Sequence, residues 1–185
     1  MIMQEEEYSI IERCREGDSE LYAVLVERYG NMIYNAAYRM VGDPETAKDM
    51  AQESFIAAYS ALREFRNGSK FSTWLYSIVM NKCKDHLRLR KATVSLDDVA
   101  ETTACRGQTP EAALCAKQTA NSLQAALDIL PGEYREVLVL KHMEGLDYKE
   151  METVLGVSAN TLKVRTHRAR ELLRKYLVER EYRNG

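Results

Sequence analysis

Helical periodicity is the feature that most constrains the fold of this 185-residue chain. Apolar side chains recur every three to four positions in two long stretches, about residues 18–91 and 110–178, which places them on one helix face. Residues 92–109 lose this spacing and gain Thr, Ser, Asp and Gly. We therefore predict an all-α protein with two helical domains, residues 1–91 and 110–185, joined by a flexible linker at 92–109.

Four helices are predicted between Asp18 and Lys91. Asp18 is a candidate N-cap of the first, and Gly42-Asp43-Pro44 ends the second and begins the third with a capping carboxylate and a first-turn proline. The fourth helix follows the turn Asn67-Gly68-Ser69 and ends in a basic run. The third helix carries a single apolar stripe, which consists of Ala47, Ala51, Phe55, Ala58 and Leu62.

The last forty residues contain the most specific local pattern. Asp147 and Glu150 have the spacing of a capping box, a short helix then ends at Gly156, and Ser158 can cap a longer helix. A short helix, a glycine-containing turn and a longer helix form the layout of a helix-turn-helix motif. One side of the longer helix is predicted to be buried: Leu162, Thr166, Ala169, Leu173 and Tyr176.

The formal net charge of −2 argues against a nucleic-acid binder, but the charge is distributed unevenly. Residues 1–80 have a net charge of −5, residues 81–91 of +4, residues 92–157 of −6 and residues 158–185 of +5. Local rather than total charge determines a phosphate-binding surface. The basic side of the last helix therefore suits the DNA major groove, and the alternative is a solvated basic helix end favoured by the helix dipole.

The basic run at 81–91 follows an aromatic cluster, and this combination suits single-stranded or unpaired nucleic acid. The alternative is equally good by composition: the aromatic residues form a helical core, which we favour for Trp74, and the basic run is a helix end. On the third helix, the face with Asp49, Gln52 and Glu53 around Ile56 and Tyr59 is predicted to be a solvated acidic surface. Partner docking is the minority interpretation there.

Enzyme motifs are missing from the sequence, which has no P-loop, no GxSxG and no HExxH. Cys83 and His86 have a possible ligand spacing, but two ligands are too few for zinc. We expect no catalysis, no cofactor and no metal. The four cysteines form no CxxC pair and are expected to be free thiols. With no apolar run of about 20 residues and no signal-peptide pattern, the protein is expected to be cytoplasmic.

Two sets of residues resemble one family, the extracytoplasmic-function (group 4) sigma factors. Residues 43–59, Phe71-Ser72-Thr73-Trp74-Leu75-Tyr76 and Asn81 resemble sigma domain 2. Residues 130–135, 145–150 and 161–170 resemble sigma domain 4. The two sets occur in the family's order and without the domain 3 of larger sigma factors. The resemblance implies a transcription initiation factor that binds core RNA polymerase and promoter DNA and helps to open the duplex.

The resemblance also implies roles for particular residues. The helix with Asp49, Gln52, Glu53 and Phe55 would dock on the clamp helices of the polymerase β′ subunit, and the β subunit is expected as a further contact. The segment before Lys91 would capture the −10 element, with a non-template base flipped into a pocket. Its candidate residues are Asn81, Lys82, Lys84 and Arg88.

The helix that begins near Ser158 would read the −35 element through Lys163, Val164, His167 and Arg168. Val164 can meet a thymine methyl, whereas Lys163 cannot form the planar bidentate contact of arginine. The resemblance further implies an anti-sigma factor that holds the protein inactive. The alternative function is a stand-alone helix-turn-helix regulator that binds duplex operator DNA without polymerase.

Overall fold

The computed structural model describes residues 2–66, 68–94 and 122–184, and every regular element within these ranges is a helix. The all-α prediction with two helical domains is thereby confirmed. The first domain contains α1 (Ile2–Glu16), α2 (Tyr22–Val41), α3 (Pro44–Ser60) and α4 (Phe71–Val94), with short 3₁₀ turns at Ser19–Leu21 and Leu62–Glu64. The second contains α5 (122–128), α6 (Gly132–Leu138), which continues as a π-helical segment over Val139–Met143, α7 (Tyr148–Leu155) and α8 (Ala159–Asn184).

The placement of the helices before Lys91 differs from the prediction: three α-helices, not four, begin between Asp18 and Lys91, and α1 precedes them. The first two predicted helices form one continuous helix, α2, and Gly30 lies inside this helix without ending it. Asp18 makes no capping hydrogen bond, and its carboxylate instead pairs with Arg13 at 2.7 Å. The additional helix α1 packs on the domain through the buried side chain of Ile11.

The predicted start of α3 is confirmed. Asp43 accepts a hydrogen bond from the Thr46 amide at 2.8 Å, and Pro44 occupies the first turn. The two hydrogen bonds from Thr46 hold the pKa of Asp43 below its usual value. Gly42 ends α2 at φ 81°, a left-handed conformation that favours glycine. The predicted apolar stripe from Ala47 to Leu62 is buried.

An aromatic cluster joins α4 to the rest of the first domain. Phe71 is fully buried, and its ring centroid lies 5.4 Å from that of Phe65, 5.6 Å from that of Trp74 and 5.6 Å from that of Tyr29. Trp74 is half-buried and packs against this core, as favoured from the sequence. The cluster fixes the direction in which α4 leaves the turn.

Truncation of Phe71 is expected to destabilise the protein by about 3–5 kcal/mol, because a large cavity would remain among three rings. This is a large part of the roughly 5–15 kcal/mol stability of a typical domain. Urea unfolding of Phe71→Ala measures the loss. The matched control is Ile56→Ala, whose side chain is 68% exposed, and we expect a change within about 0.5 kcal/mol there. Equal unfolding midpoints for the two variants would contradict the assigned core.

The predicted linker is described only at its start. Helix α4 continues to Val94, three residues into the predicted linker. Residues 95–109, the helix start predicted at Thr109-Pro110, and Cys105 and Cys115 lie outside the described residues.

The two domains pack against each other. Helix α7 lies on α4, while α6 and its π-helical continuation contact α2 and α8. Four consecutive residues, Val137 to Leu140, are all buried. Because successive helical residues point about 100° apart, four of them span most of the helix circumference, and α6 must be enclosed on opposite sides. The apolar core is therefore continuous between the domains.

The contact between the domains also contains polar groups. Arg135 donates to the Met40 carbonyl at 2.5 Å, and the Tyr76 hydroxyl donates to the Glu144 carboxylate. Lys70 pairs with Glu150 at 2.7 Å. Within the described ranges, the buried side-chain polar atoms without a hydrogen bond all belong to residues near this contact: Nη1 of Arg39, Oε1 of Gln124, Nε of Arg135 and Oε2 of Glu136.

Candidate nucleic-acid and polymerase interfaces

Helices α7 and α8 form the predicted helix-turn-helix motif. The capping box is complete: Asp147 accepts from the Glu150 amide at 2.8 Å, and Glu150 accepts from the Asp147 amide at 2.9 Å. The first of these bonds holds the pKa of Asp147 below its usual value. Gly156 ends α7 at φ 65°, and the Ser158 hydroxyl accepts from the Thr161 amide at 3.4 Å as α8 begins. Local sequence chemistry therefore determines where α7 ends and α8 begins.

The N-terminal half of α8 has one buried and one exposed face. Leu162, Thr166 and Ala169 are buried, and the Thr166 hydroxyl donates to the Leu162 carbonyl at 2.8 Å. All four −35 candidates are exposed, with Val164 50% exposed. They occupy the first three turns of α8, the part that a recognition helix places against base edges. These four are Lys163, Val164, His167 and Arg168.

Arg165 differs from its basic neighbours on α8. Its guanidinium pairs with Glu133 at 3.2 Å and with Glu136 at 3.6 Å. The side chain is half-buried, whereas Arg168 is exposed. Arg165 therefore attaches α8 to α6, and its charge is already partly neutralised within the protein.

The −10 candidates lie on two faces of α4. Asn81, Lys84 and Arg88 are three and four residues apart and share one face. Lys82 points about 100° away and pairs with Glu53 of α3 at 3.1 Å. Asn81 and Arg88 are exposed, so the structure brings together three of the four residues and assigns Lys82 to the border with α3.

The polymerase candidates on α3 are not equally accessible. Asp49, Gln52 and Glu53 are exposed. Phe55 is only 8% exposed and belongs to the core, so its side chain supports this face from beneath. Its carbonyl accepts a hydrogen bond from the Tyr22 hydroxyl at 2.7 Å.

Two exposed apolar residues complete the α3 face, and the site prediction from sequence omitted them. Ile56 is 68% exposed and Tyr59 is 41% exposed. They lie three residues apart, on the same side of α3 as Gln52 and Glu53. The sequence analysis placed both residues on this face without choosing them as binding candidates, and a large apolar side chain beside carboxylates on an exposed helix face is the pattern that could have selected them. We call Asp49, Gln52, Glu53, Ile56 and Tyr59 the α3 patch.

The predictions about cysteines, metal binding and membrane helices can be compared with the described part of the chain. Cys14 and Cys83 are buried free thiols, and burial raises the pKa of Cys83 to about 12. Across the described ranges, no group of three or more His, Cys, Asp or Glu side chains is placed to hold a metal ion. Nor does any helix there have the length and apolar composition required to cross a membrane.

These features define a class: a two-domain helical DNA-binding protein that presents a helix-turn-helix on one domain and an exposed mixed acidic and apolar helix on the other. Residues 25–93 match the family model of sigma-70 region 2, and residues 120–173 match that of sigma-70 region 4. The chain is 38% identical to the ECF RNA polymerase sigma factor SigW of Bacillus subtilis, with 90% of this chain and 94% of SigW covered. It is 35% identical to the RNA polymerase sigma-H factor of Pseudomonas aeruginosa, with 96% of each covered.

Two solved structures share the arrangement. CnrH, in complex with the cytosolic domain of CnrY, matches with a TM-score of 0.70 at 26% identity, over 92% of this chain and 96% of CnrH. The sigma factor RpoE of Bartonella quintana, in complex with the anti-sigma factor NepR, matches in fold with a TM-score of 0.69 at 23% identity, over 84% of this chain and 96% of that one. The chain belongs to the ECF RNA polymerase sigma factors, and it is an alternative sigma factor for promoter-specific transcription initiation.

Proposed function

We propose that three separate exposed surfaces carry out the sigma activity of this chain. The α3 patch binds the clamp helices of the polymerase β′ subunit, the α4 face with Asn81, Lys84 and Arg88 captures the −10 element, and the exposed face of α8 reads the −35 element. The observation that carries the proposal is the solvent exposure of the candidate residues on each surface, of which only Lys84 is half-buried, above a buried stripe of the same helix. Exposed side chains on a rigid support can bind without rearrangement of the core.

The α3 patch has the composition of a protein-binding surface. Ile56 and Tyr59 supply apolar area, while Asp49 and Glu53 give it negative charge. Apolar and aromatic side chains supply most of the energy of typical interfaces, and charged rims select the partner. A basic helical surface of the polymerase is the complementary partner.

The α4 face suits an unpaired strand because a flipped base needs polar contacts and the strand needs cations. Asn81 can donate to and accept from a base edge, and Lys84 and Arg88 can neutralise phosphates. The half-buried Trp74 lies about two turns earlier on α4. The proposed capture involves no chemistry, only the unstacking cost that base flipping carries.

Asn81→Ala is expected to reduce open-complex formation about 10- to 100-fold, the effect of losing one good base contact. Permanganate reactivity of thymines around the −10 element measures strand opening. Core binding is the internal control and is expected to stay unchanged, because Asn81 lies on α4 and not in the α3 patch. Equal losses of core binding and of strand opening would instead indicate damage to the fold and would contradict the assigned role.

A partner protein is also proposed. In the two similar solved structures, CnrH is in complex with the cytosolic domain of CnrY, and the sigma factor RpoE is in complex with the anti-sigma factor NepR. On this basis we propose that an anti-sigma factor controls this chain. We also propose that this chain acts in the cytoplasm and that its activity depends on binding rather than on catalysis.

The proposal differs from a stand-alone operator-binding regulator in a testable way. Near-neutral total charge predicts weak binding of the free protein to DNA, because acidic surfaces oppose phosphate contacts. Footprinting on promoter DNA with and without core polymerase separates the two functions. We expect protection of the −35 and −10 elements only when core is present. Protection by the free protein at physiological salt would favour the stand-alone regulator.

A further inference from the structure

The exposed tyrosine of the α3 patch lies in the least supported part of its helix. Helix α3 ends at Ser60, so Tyr59 occupies its last turn, where carbonyl groups lack intrahelical donors and the backbone is least restrained. The Tyr59 side chain is 41% exposed and lies above the core rather than in it. An aromatic side chain at this point therefore needs support from another helix if it is to keep one conformation.

Tyr22, the first residue of α2, supplies such support. Its ring centroid lies 4.9 Å from that of Tyr59, and the two ring planes are tilted by 59°. Aromatic rings in tilted geometry, about 4.5–7 Å apart, attract each other through their quadrupoles as well as by dispersion. The contact therefore restricts rotation of the Tyr59 side chain at the end of the α3 patch.

The Tyr22 hydroxyl also bonds to the backbone of α3. It donates to the Phe55 carbonyl at 2.7 Å. In an α-helix this carbonyl also accepts a hydrogen bond from the amide four residues later, which is that of Tyr59. One side chain therefore contacts both the ring of Tyr59 and the helical turn that carries it. No other aromatic ring pair in the described part of the chain joins the α3 patch to a different helix.

Tyr22 is itself held in place. The residue is half-buried and packs against the apolar core. Burial raises the pKa of the Tyr22 phenol, and nearby Cys14 and Tyr59 add to the effect, so the hydroxyl stays protonated and able to donate at physiological pH. A tyrosine side chain has only two rotatable bonds, so the ring is a rigid support once its hydroxyl is bound.

We propose that Tyr22 is a positioning residue for the binding of core RNA polymerase: it holds Tyr59 in the orientation in which the α3 patch meets the β′ clamp helices. The inference rests on the proposed function, because it takes the α3 patch as the docking surface. A side chain that is ordered before binding loses less conformational freedom on binding. For one side chain this saving corresponds to about a 2- to 10-fold gain in affinity.

Tyr22→Leu removes both the ring and the hydroxyl, and we expect the full chain to bind core polymerase about tenfold more weakly in fluorescence anisotropy. Tyr22→Phe keeps the ring and should lose no more than about threefold. The matched control is Tyr29→Leu on the same helix. Tyr29 is also half-buried, its ring centroid lies 5.6 Å from that of Phe71, and its hydroxyl donates to Glu7. This control loses the same kinds of contact away from the α3 patch, so its affinity for core should stay within about twofold.

A double-mutant cycle separates positioning from general stability. In a Tyr59→Ala background Tyr22 has no ring left to position, so Tyr22→Leu should change the affinity for core by less than about twofold. Loss of stability alone would weaken binding equally in both backgrounds. Urea unfolding of each variant identifies conditions in which all of them are folded.

The free protein provides a readout that does not involve polymerase. The ring resonances of Tyr59, observed by NMR of ring-labelled tyrosine, are expected to be displaced from their random-coil positions by the neighbouring aromatic ring. Tyr22→Leu should return them toward the random-coil positions, whereas Tyr29→Leu should leave them unchanged.

The outcomes distinguish the inference from the proposed function. If Ile56→Glu loses core binding while Tyr22→Leu binds within about twofold of the unmodified protein, the positioning role is overturned. An undiminished effect of Tyr22→Leu in the Tyr59→Ala background, equal losses for Tyr22→Phe and Tyr22→Leu, or unchanged Tyr59 resonances would also overturn it. Normal core binding by Ile56→Glu would instead remove the α3 patch as the docking surface, and the NMR measurement would still decide whether Tyr22 holds Tyr59.

Discussion

Replacement of Ile56 by glutamate is expected to abolish functional binding of core RNA polymerase while leaving the protein folded. The side chain is 68% exposed and lies in the middle of the α3 patch. Loss of a central apolar anchor typically costs about 2–4 kcal/mol, which corresponds to about a 30- to 700-fold weaker affinity. The added carboxylate would also increase the negative charge next to Glu53. Fluorescence anisotropy of labelled protein against core polymerase measures the dissociation constant.

Leu89→Glu is the matched control for this prediction. Leu89 lies on α4 and is 69% exposed, so the substitution makes the same chemical change at the same exposure but outside the α3 patch. We expect its affinity for core to stay within about threefold of the unmodified protein. A folded Ile56→Glu protein that binds core normally would show that α3 is not the docking helix.

The second large effect is expected for Arg168→Ala, which should reduce −35-dependent transcription about 10- to 100-fold. Arg168 is exposed in the third turn of α8, where a recognition helix contacts base edges. A bidentate arginine contact with guanine contributes about 1–3 kcal/mol of discrimination against the wrong base. Run-off transcription from promoters with and without an intact −35 element measures the effect, which should be confined to the intact element.

Arg174→Ala separates base reading from general charge. Arg174 is also an exposed arginine of α8, but it lies beyond the first three turns. Its loss removes the same charge, so we expect less than about a threefold change. Similar losses for Arg168→Ala and Arg174→Ala would assign the effect to nonspecific phosphate attraction and contradict a specific role for Arg168.

The elements that the sequence predicted well are those determined by neighbouring residues. The capping box of Asp147 and Glu150, the Asp43 cap and the left-handed Gly156 each depend on bonds within a few positions. Such chemistry is visible in the sequence because its partners are adjacent in the chain. The exposed face of α8 followed from the same local reasoning, since its buried stripe fixes its orientation.

The features that the sequence did not predict depend on packing. Helix α1 is held by distant contacts such as that of Arg15 with the Leu62 carbonyl at 3.0 Å. Gly30 has a low helix propensity, yet it lies inside the continuous helix α2, which packs against α3 and α4. Docking of the second domain on α4 depends on side chains about 70 positions apart, such as Tyr76 and Glu144, and no periodicity encodes that pairing.

The proposed polymerase-binding face of α3 shows the same limit within a single helix. The resemblance implied that Phe55 contacts polymerase, whereas periodicity placed Phe55 in the buried apolar stripe of α3. The structure places the Phe55 side chain in the core. Its neighbour Ile56 carries the exposed apolar surface instead. The resemblance proposes this helix as the docking helix, and burial shows which of its side chains are accessible to a partner.

Reconstituted transcription is the most direct test of the central account, in which this chain directs core RNA polymerase to promoters through a −10 and a −35 surface. Purified full-length protein is added to core polymerase with a library of promoter fragments, and transcript start sites are mapped. The account predicts transcripts from a subset of promoters that share −35 and −10 sequences, none with core alone, and loss of these transcripts with Ile56→Glu but not with Leu177→Glu at another exposed apolar position. Failure of the protein to bind core, together with the absence of any promoter-specific transcript, would contradict it.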